Sequence, residues 1–221
     1  MKAIIFDIDG TLIDSVDYHA EAWQKVLRRH GIEVEYESVR NQIGKGGDKL
    51  MAVFLSPAQI KREAKQIEQE RGELFRREYL PKVKPFPALH QLFERLKRDR
   101  IKIALASSAK RDELEAYKQI TGIGPYLEAA TSSDDAAESK PDPGIFLAAL
   151  NGLRGVEPSQ ALVVGDTPYD AEAAARAGMP AVGVLCGGFA PEKLIAAGCR
   201  KLYRDPEELL LGFDGLLAAF Q

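Results

Sequence analysis

Cysteine and histidine, two residue types that often bind zinc, are scarce in this sequence. Among its 221 residues there are two cysteines and three histidines. Cys186 and Cys199 belong to no CxxC motif and no Cys/His cluster, which leaves a zinc site without support. Nothing in their spacing requires a disulfide, so we expect two reduced thiols.

Long apolar runs and an excess of positive charge are also missing. No stretch approaches the roughly 20 apolar residues that cross a bilayer, and the N-terminal apolar run meets Asp7 too soon for a signal peptide. The net charge of −3 offers no broad basic surface, which argues against a nucleic-acid partner. We therefore expect a cytoplasmic protein without a membrane partner, and we take a monomer as the default.

Apolar residues make up 45% of the chain, and many of them fall in short runs that alternate with helical patterns. This alternation predicts an α/β fold, a Rossmann-like parallel sheet with helices on both faces. Predicted strands lie at 3–6, 101–106, 161–164 and 181–185, with a weaker one at 129–132. Predicted helices between them lie at about 88–99, 110–120, 143–152, 169–177 and 206–220.

The segment 15–82 interrupts this rhythm just after the first strand. It contains no convincing strand and is rich in Glu, Lys, Arg, Gln and Ala, which favours helices. We interpret it as an inserted α-helical cap domain over a core formed by 1–14 and 83–221, with a stiff return link at 82–87 (KVKPFP). Predicted cap helices lie at about 17–30, 36–42, 47–54 and 57–79.

Two carboxylates, Asp7 and Asp9, follow the first predicted strand in the motif DIDGT. Residues two apart in extended backbone point to the same side, so the pair can divide the roles of nucleophile and general acid/base. The alternative is an Asp-Gly turn with solvated carboxylates.

Two further signatures follow downstream. Ser107 and Ser108 lie between a predicted strand and a helix, where hydroxyl and backbone N–H groups suit a phosphate; the alternative is an ordinary helix N-cap. Pro141 disfavours helix at Lys140, which places this lysine in a turn where its ammonium could neutralise phosphoryl charge. The alternative is an exposed lysine.

The fourth signature is GDTPYD, in which Asp166 follows a predicted strand and Asp170 lies in the first turn of the next helix. Carboxylate oxygens are the ligands that Mg²⁺ prefers. The alternative is Asp166 as helix N-cap, with Asp170 as a first-turn acid that the helix dipole favours.

These four signatures, in this order, resemble the four motifs of the haloacid dehalogenase-like hydrolase superfamily. DIDGT is similar to the first motif, Ser107 to the second, Lys140 to the third and GDTPYD to the fourth. The fit spans the catalytic core from residue 3 to 184, and the helical insertion after the first motif resembles this family's cap.

The resemblance implies a phosphatase that forms an aspartyl phosphate. Asp7 would attack phosphorus, and Asp9 would protonate the leaving oxygen and then activate water. Ser107 would bind a phosphoryl oxygen, and Lys140 would offset the charge of nucleophile and phosphate. The expected substrate-binding residues are Asp9, Thr11, Ser107, Ser108, Lys140 and Lys45.

Mg²⁺ is the cofactor that the resemblance implies. Its ligands would be the Asp7 carboxylate, the Asp9 main-chain carbonyl and Asp166, while Asp170 would act through water or by orienting Lys140. The physics agrees, because a carboxylate meets an anionic phosphate only if cations cancel the repulsion.

Asp9 also bears on the branch of the superfamily. Dehalogenating and phosphonatase-like relatives lack this second acid, so it favours hydrolysis of a small phosphorylated metabolite such as phosphoglycolate or a sugar phosphate. A phosphomutase resembling β-phosphoglucomutase remains open, because 18–23 (YHAEAW) resembles the mutase hinge. Loss of a motif residue would instead favour a catalytically silent phosphate-binding module, and none is lost.

Two features of the cap bear on specificity. Lys45, within IGKGGD at 43–48, could meet a carboxylate or second phosphate, and its loop resembles the Gly-rich cap loop of phosphoglycolate phosphatases; the alternative is a flexible helix–helix turn. His19 and Trp23 either form one face of a cap helix, at i and i+4, or contact the substrate.

Overall fold

A six-stranded parallel sheet organises most of the chain in the computed structural model, which describes residues 1–220. The predicted α/β fold is confirmed, and all five interstrand pairings of the sheet are parallel. In spatial order the strands are β5 (Ala129–Thr131), β4 (Lys102–Ala106), β1 (Ala3–Phe6), β6 (Ala161–Gly165), β7 (Ala181–Val184) and β8 (Cys199–Tyr203).

Strand β1 is central, and both of its faces are covered. Ile4 and Phe6 pack in one apolar cluster, whereas Ala3 and Ile5 pack in a second cluster. Successive side chains of a strand point to opposite faces, so a strand buried on both faces is a continuous apolar run. This explains why the run 3–6 was recognisable in the sequence.

Helices follow the strands and cover the sheet. They are α5 (Leu89–Arg98), α6 (Arg111–Thr121), α7 (Gly144–Gly152), α8 (Pro168–Arg176), α9 (Pro191–Ala196), α10 (Pro206–Leu211) and α11 (Phe213–Ala219). The prediction of one helix over 206–220 was wrong, because the segment is divided at Gly212.

Strand β8 and helix α9 were not predicted. The strand has the sequence CRKLY, with Arg200 and Lys201 exposed at the edge of the sheet. Charged residues on an edge strand discourage pairing with another chain, but they also remove the apolar run by which a buried strand is recognised.

Four α-helices form the inserted segment: α1 (Val16–Arg29), α2 (Tyr36–Arg40), α3 (Gly47–Phe54) and α4 (Pro57–Leu74). Helix α4 begins with a capping box between Ser56 and Gln59 and has Pro57 in its first turn, both strong start signals. It continues into one π-helical turn, Phe75–Tyr79. No helix within residues 1–220 combines the length and apolarity needed to span a membrane.

The two chain segments that lead into and out of these helices pair with each other. Strand β2 (Ile13–Asp14) and strand β3 (Lys84–Pro85) form a short antiparallel ribbon. The second of them lies in the predicted return link 82–87. The domain boundaries 1–14, 15–82 and 83–221 stay a prediction. The ribbon lies beside both predicted junctions.

Candidate active site

Three motif residues meet at the carboxyl edge of the sheet. Asp7, Ser107 and Asp166 each come directly after strands β1, β4 and β6, and β1 pairs in register with both other strands. The Asp7 N–H donates to Val164 O over 2.9 Å, which extends the β1–β6 ladder into the site. Ligands bind at this edge in open parallel sheets.

Lys140 is fully buried beneath these residues. Its Nζ lies 2.6 Å from Asp7 Oδ1 and 2.7 Å from Asp170 Oδ1, and it donates to Ala106 O over 3.2 Å. Burial alone would lower the pKa of Lys140, but the Asp170 and Asp7 carboxylates hold it above its ordinary value. The alternative of an exposed lysine is therefore wrong, and the ammonium remains charged.

Three buried carboxylates surround this single ammonium. Asp7, Asp166 and Asp170 each offer an oxygen within 4.8 Å of the others. Burial raises the pKa of Asp7 to about 7, with the Asp170 and Asp9 charges acting in the same direction and Lys140 against them. Burial, together with Asp7 and Asp170, raises the pKa of Asp166 well above its usual range. The cluster is short of positive charge.

A divalent cation fits this cluster on the evidence of Asp166. Its Oδ1 accepts a hydrogen bond from Thr11 over 3.0 Å, while its buried Oδ2 has no hydrogen-bond partner. Glycines leave room beside that oxygen: a Cβ would lie 2.4 Å from it at Gly10 and 1.7 Å at Gly187. Unpaired carboxylate oxygens in a close-fitting site suit a small hard ion.

Asp170, in the first turn of helix α8, contacts both Thr167 and Lys140. Its Oδ2 accepts from the Thr167 N–H and hydroxyl, and Thr167 Oγ1 accepts from the Asp170 N–H, which forms a capping box. The N-cap is Thr167, so the alternative of Asp166 as N-cap is wrong. Asp170 is indeed a first-turn acid, and its other oxygen is the one beside Lys140.

Asp9 has a separate set of partners. Its Oδ1 accepts from Ser15 Oγ over 2.6 Å and lies 3.0 Å from His19 Nε2. Burial would raise the pKa of Asp9, but His19 and then Ser15 lower it overall. Asp7 and Asp9 line one cavity but are surrounded differently, and the alternative of solvated carboxylates in a turn does not describe them.

His19 is held between the inserted helices and the sheet domain's helix α6. Its Nε2 lies 2.9 Å from the Tyr117 hydroxyl, and its ring stacks on Phe75 with centroids 3.9 Å apart. His19 and Trp23 both line the cavity. They therefore share a helix face and also face the place where a substrate would bind.

The two serines occupy a loop rather than a helix start. Helix α6 begins at Arg111 with Lys110 as its N-cap, so the N-cap alternative for Ser107 and Ser108 is wrong. Ser107 Oγ accepts from the Ala109 N–H over 3.1 Å, and Ser108 Oγ donates to Gly44 O over 3.1 Å. Ser108 thereby ties the motif loop to the inserted segment.

Thr11 and Lys45 complete the predicted set, in different surroundings. The buried Thr11 hydroxyl donates towards Asp7 Oδ2 (3.3 Å) and Asp166 Oδ1 (3.0 Å). Lys45 lines the cavity, donates to Gln42 Oε1 over 2.5 Å and lies 4.6 Å above the Tyr169 ring. Burial lowers the pKa of Lys45, and the side chain is half-buried.

A partly open cavity of about 40 Å³ lies between Asp7 and the inserted helices. Its lining includes Arg71 and Glu113, which no sequence signal singled out, because each lies within a run of charged residues on an exposed-looking helix. A larger concavity of about 580 Å³ lies elsewhere, around Met179, Ala181 and Arg200, and contains no motif residue.

Comparisons with known proteins agree with this geometry. The profile of the family "haloacid dehalogenase-like hydrolase" matches residues 1–178. A phosphoglycolate phosphatase from Aquifex aeolicus is 34% identical over 85% of this chain and 86% of its own length. A beta-phosphoglucomutase from Bacillus subtilis is 31% identical over 83% of each chain.

A solved structure extends the agreement to the whole fold. The crystal structure of a hydrolase from Pseudomonas syringae superposes with a TM-score of 0.90 at 28% identity, and covers 98% of this chain and 99% of that one. The profile match takes in all four motifs and the strands that present them. A chain that shares this profile, and that brings the motif residues together at the carboxyl edge of its sheet, belongs to the haloacid dehalogenase-like hydrolases.

Proposed function

We propose that this protein is a Mg²⁺-dependent phosphatase that hydrolyses a small phosphorylated metabolite through a phosphoaspartate on Asp7. The observation that carries the proposal is the buried cluster of Asp7, Asp166 and Asp170 around one ammonium, that of Lys140. The cluster lacks positive charge, and an anionic nucleophile that meets an anionic ester needs it.

The reaction would run in two steps. A carboxylate oxygen of Asp7 attacks phosphorus, the aspartyl oxygen–phosphorus bond forms, and the ester oxygen leaves with a proton from Asp9. Asp9 then takes a proton from a water molecule that attacks the phosphoaspartate, which releases phosphate and restores Asp7. His19 and Ser15 act as positioning residues, because both hold the Asp9 carboxylate.

Asp7, Asp166 and the Asp9 main-chain carbonyl would hold Mg²⁺, and Asp170 would keep Lys140 in place. The bound ion would neutralise negative charge on the nucleophile and the phosphoryl group. Ser107, Ser108 and Lys140 would receive the phosphoryl oxygens, and the inserted segment 15–82 would act as a cap. A monomer and a cytoplasmic location stay predictions from the sequence.

A phosphomutase is the second candidate function. The 31% identical beta-phosphoglucomutase relative favours it. A mutase would convert a sugar phosphate into an isomer without releasing phosphate, so an assay of inorganic phosphate separates the two activities. Retention of every motif residue argues against a silent binding module.

The test is a phosphate-release assay across many phosphometabolites. Wild-type protein should turn over at least one of them with Mg²⁺, lose activity in excess EDTA and regain it when Mg²⁺ is restored. Asp7→Asn should reduce turnover by at least about 10³-fold, because it removes the nucleophile. Asp214→Asn is the matched control, since Asp214 is 83% exposed and pairs only with Arg95 at the surface.

Two results of the same assay would contradict the proposed function. Substantial Mg²⁺-dependent activity in a folded Asp7→Asn protein, checked by circular dichroism, would contradict the nucleophile assignment. Full activity of the wild type in EDTA would contradict the metal requirement.

A further inference from the structure

A buried ion pair crosses from the inserted helices to the sheet domain beside the candidate active site. Arg71 Nη1, on helix α4, lies 3.0 Å and 3.3 Å from the two carboxylate oxygens of Glu113, on helix α6. The side chains are only 9% and 3% exposed. The same helix α6 carries Tyr117, the partner of His19, so the pair borders the group that holds Asp9.

The Arg71–Glu113 pair lies between two cavities and lines both of them. Arg71 and Glu113 line the inner cavity with Asp7 and Asp9, and they also line an outer cleft of about 320 Å³ between α4 and α6. The inner cavity is small, about 40 Å³. A leaving group attached to a phosphoryl group on Asp7 that extends towards the outer cleft would pass the pair.

The pair has hydrogen-bonding capacity left over. Arg71 Nε is buried and has no hydrogen-bond partner among residues 1–220, and both Glu113 carboxylate oxygens accept from the same guanidinium nitrogen. A buried unpaired donor favours any ligand that supplies an acceptor. Glu113 can in addition accept from a ligand donor.

The charges of Arg71 and Glu113 favour one class of ligand over another. Glu113 already neutralises Arg71, so an incoming carboxylate would gain no unpaired positive charge from this pair and would meet the buried carboxylate of Glu113. A hydroxyl group fits both partners, because it accepts from Arg71 Nε while it donates to Glu113. Trp23 lines the inner cavity beside the pair, with its ring centroid 5.4 Å from the Arg71 guanidinium carbon, and adds apolar surface to the lining.

We propose that Arg71 and Glu113 are specificity residues that select a neutral polyhydroxylated leaving group, so that the substrates are sugar or polyol monophosphates rather than carboxylate-bearing esters. This inference rests on the proposed phosphatase function. It differs from the expectation based on Lys45, which would take an anionic group.

The experiment compares kcat/KM for three kinds of phosphomonoester with Mg²⁺: a panel of hexose and polyol monophosphates, 2-phosphoglycolate and p-nitrophenyl phosphate. Wild-type protein should prefer the best polyhydroxylated ester over 2-phosphoglycolate by at least about tenfold. Glu113→Gln, which removes the negative charge and keeps the shape, should lower that preference about tenfold by improving 2-phosphoglycolate. Arg71→Lys should cost the polyhydroxylated ester at least about ten times more than p-nitrophenyl phosphate.

Glu138→Gln is the matched control. Glu138 forms a 2.8 Å ion pair with Lys49 that also joins the inserted helices to the rest of the chain, but it lines neither space. The control should keep the wild-type preference. If Arg71→Lys does not fold, the isosteric Glu113→Gln decides the matter alone.

Two results would overturn the inference. One is a wild type that prefers 2-phosphoglycolate, and the other is a preference unchanged within about twofold in Glu113→Gln. Either result, with p-nitrophenyl phosphate still hydrolysed, leaves the proposed phosphatase intact. A wild type that hydrolyses none of the three kinds of ester overturns both.

Discussion

Asp7 lies in surroundings that are unfavourable to its charged form and useful to its proposed chemistry. It is buried beside two other carboxylates, and one ammonium only partly offsets them. Such a group is costly to ionise in a folded protein without additional positive charge. Perturbed pKa values of this kind are typical of functional sites.

The raised pKa of Asp7 has a consequence for stability that can be measured. Between its unfolded value of 3.8 and about 7, the folded state retains a proton that the unfolded state has released. The free energy of unfolding of the metal-free protein should therefore fall as pH rises through this window, by about 1.4 kcal/mol for each pH unit. Asp7→Asn should show a shallower fall, because it cannot ionise.

Urea unfolding in EDTA at pH 5 and pH 8 tests this expectation. Mg²⁺ at pH 8 should restore more stability to the wild type than to Asp7→Asn, since binding to the folded state alone stabilises it. Equal pH slopes in wild type and variant would show that Asp7 is not the titrating group.

At the scale of elements, the loop 43–48 brings the inserted helices onto the sheet edge. Gly44 has φ of 102°, and a Cβ there would lie 2.5 Å from Thr167 Cγ2. Its carbonyl accepts from Ser108. Its sequence is compatible with either a specificity loop or a flexible turn. The structure shows it packed against residues of the second and fourth motifs.

We expect Gly44→Ala to lower kcat/KM by about tenfold or more, because both the positive φ and the contact with Thr167 oppose a side chain. The loop would then seat poorly over the site. Gly215→Ala is the control: it lies in α11, and no atom of residues 1–220 lies within 4 Å of its Cβ position. It should keep activity and raise stability by about 0.5–1 kcal/mol through helix propensity.

Steady-state kinetics and thermal unfolding of both variants check this pair of expectations. Wild-type kcat/KM in Gly44→Ala would mean that the loop tolerates displacement and does not close the site.

At the scale of the whole molecule, the site is closed in this structure. Contacts cross its rim from several elements: Tyr169 donates to Asn41 O over 2.6 Å, Arg40 to Gly187 O over 3.2 Å, and Lys49 pairs with Glu138. The cavity beside Asp7 is small, about 40 Å³. We therefore expect the inserted helices to move when a substrate enters, and the ribbon of β2 and β3 is the connection about which they would move.

Amide hydrogen exchange tests this motion. Segments 12–16 and 82–86 should exchange faster than strand β1, because local opening needs only the short ribbon to break. Mg²⁺ with orthovanadate, a mimic of the transferring phosphoryl group, should slow exchange in these segments and in the loop 43–48. Linkers as protected as β1, with and without the ligands, would contradict both the hinge and the predicted domain boundaries.

The sheet's central strands and the four motif residues are predictable from local sequence patterns alone. Strands β1, β4 and β6 are buried on both faces, so each is a local apolar run, and a polar signature directly follows each run. Asp7, Ser107 and Asp166 could therefore be placed at one edge without coordinates. Lys140 needed the turn chemistry of the following proline as well as the resemblance to the family.

Which other side chains face the site depends on tertiary packing and cannot be predicted from local sequence. Arg71 and Glu113 lie 42 residues apart, and His19 and Tyr117 lie 98 apart. Each pair forms because helices α1 and α4 pack over α6, and no local pattern marks a charged residue as the one that will be buried. Strand β8 is a similar case, since it pairs only because β7 offers it an edge, while its own sequence is that of an exposed charged segment.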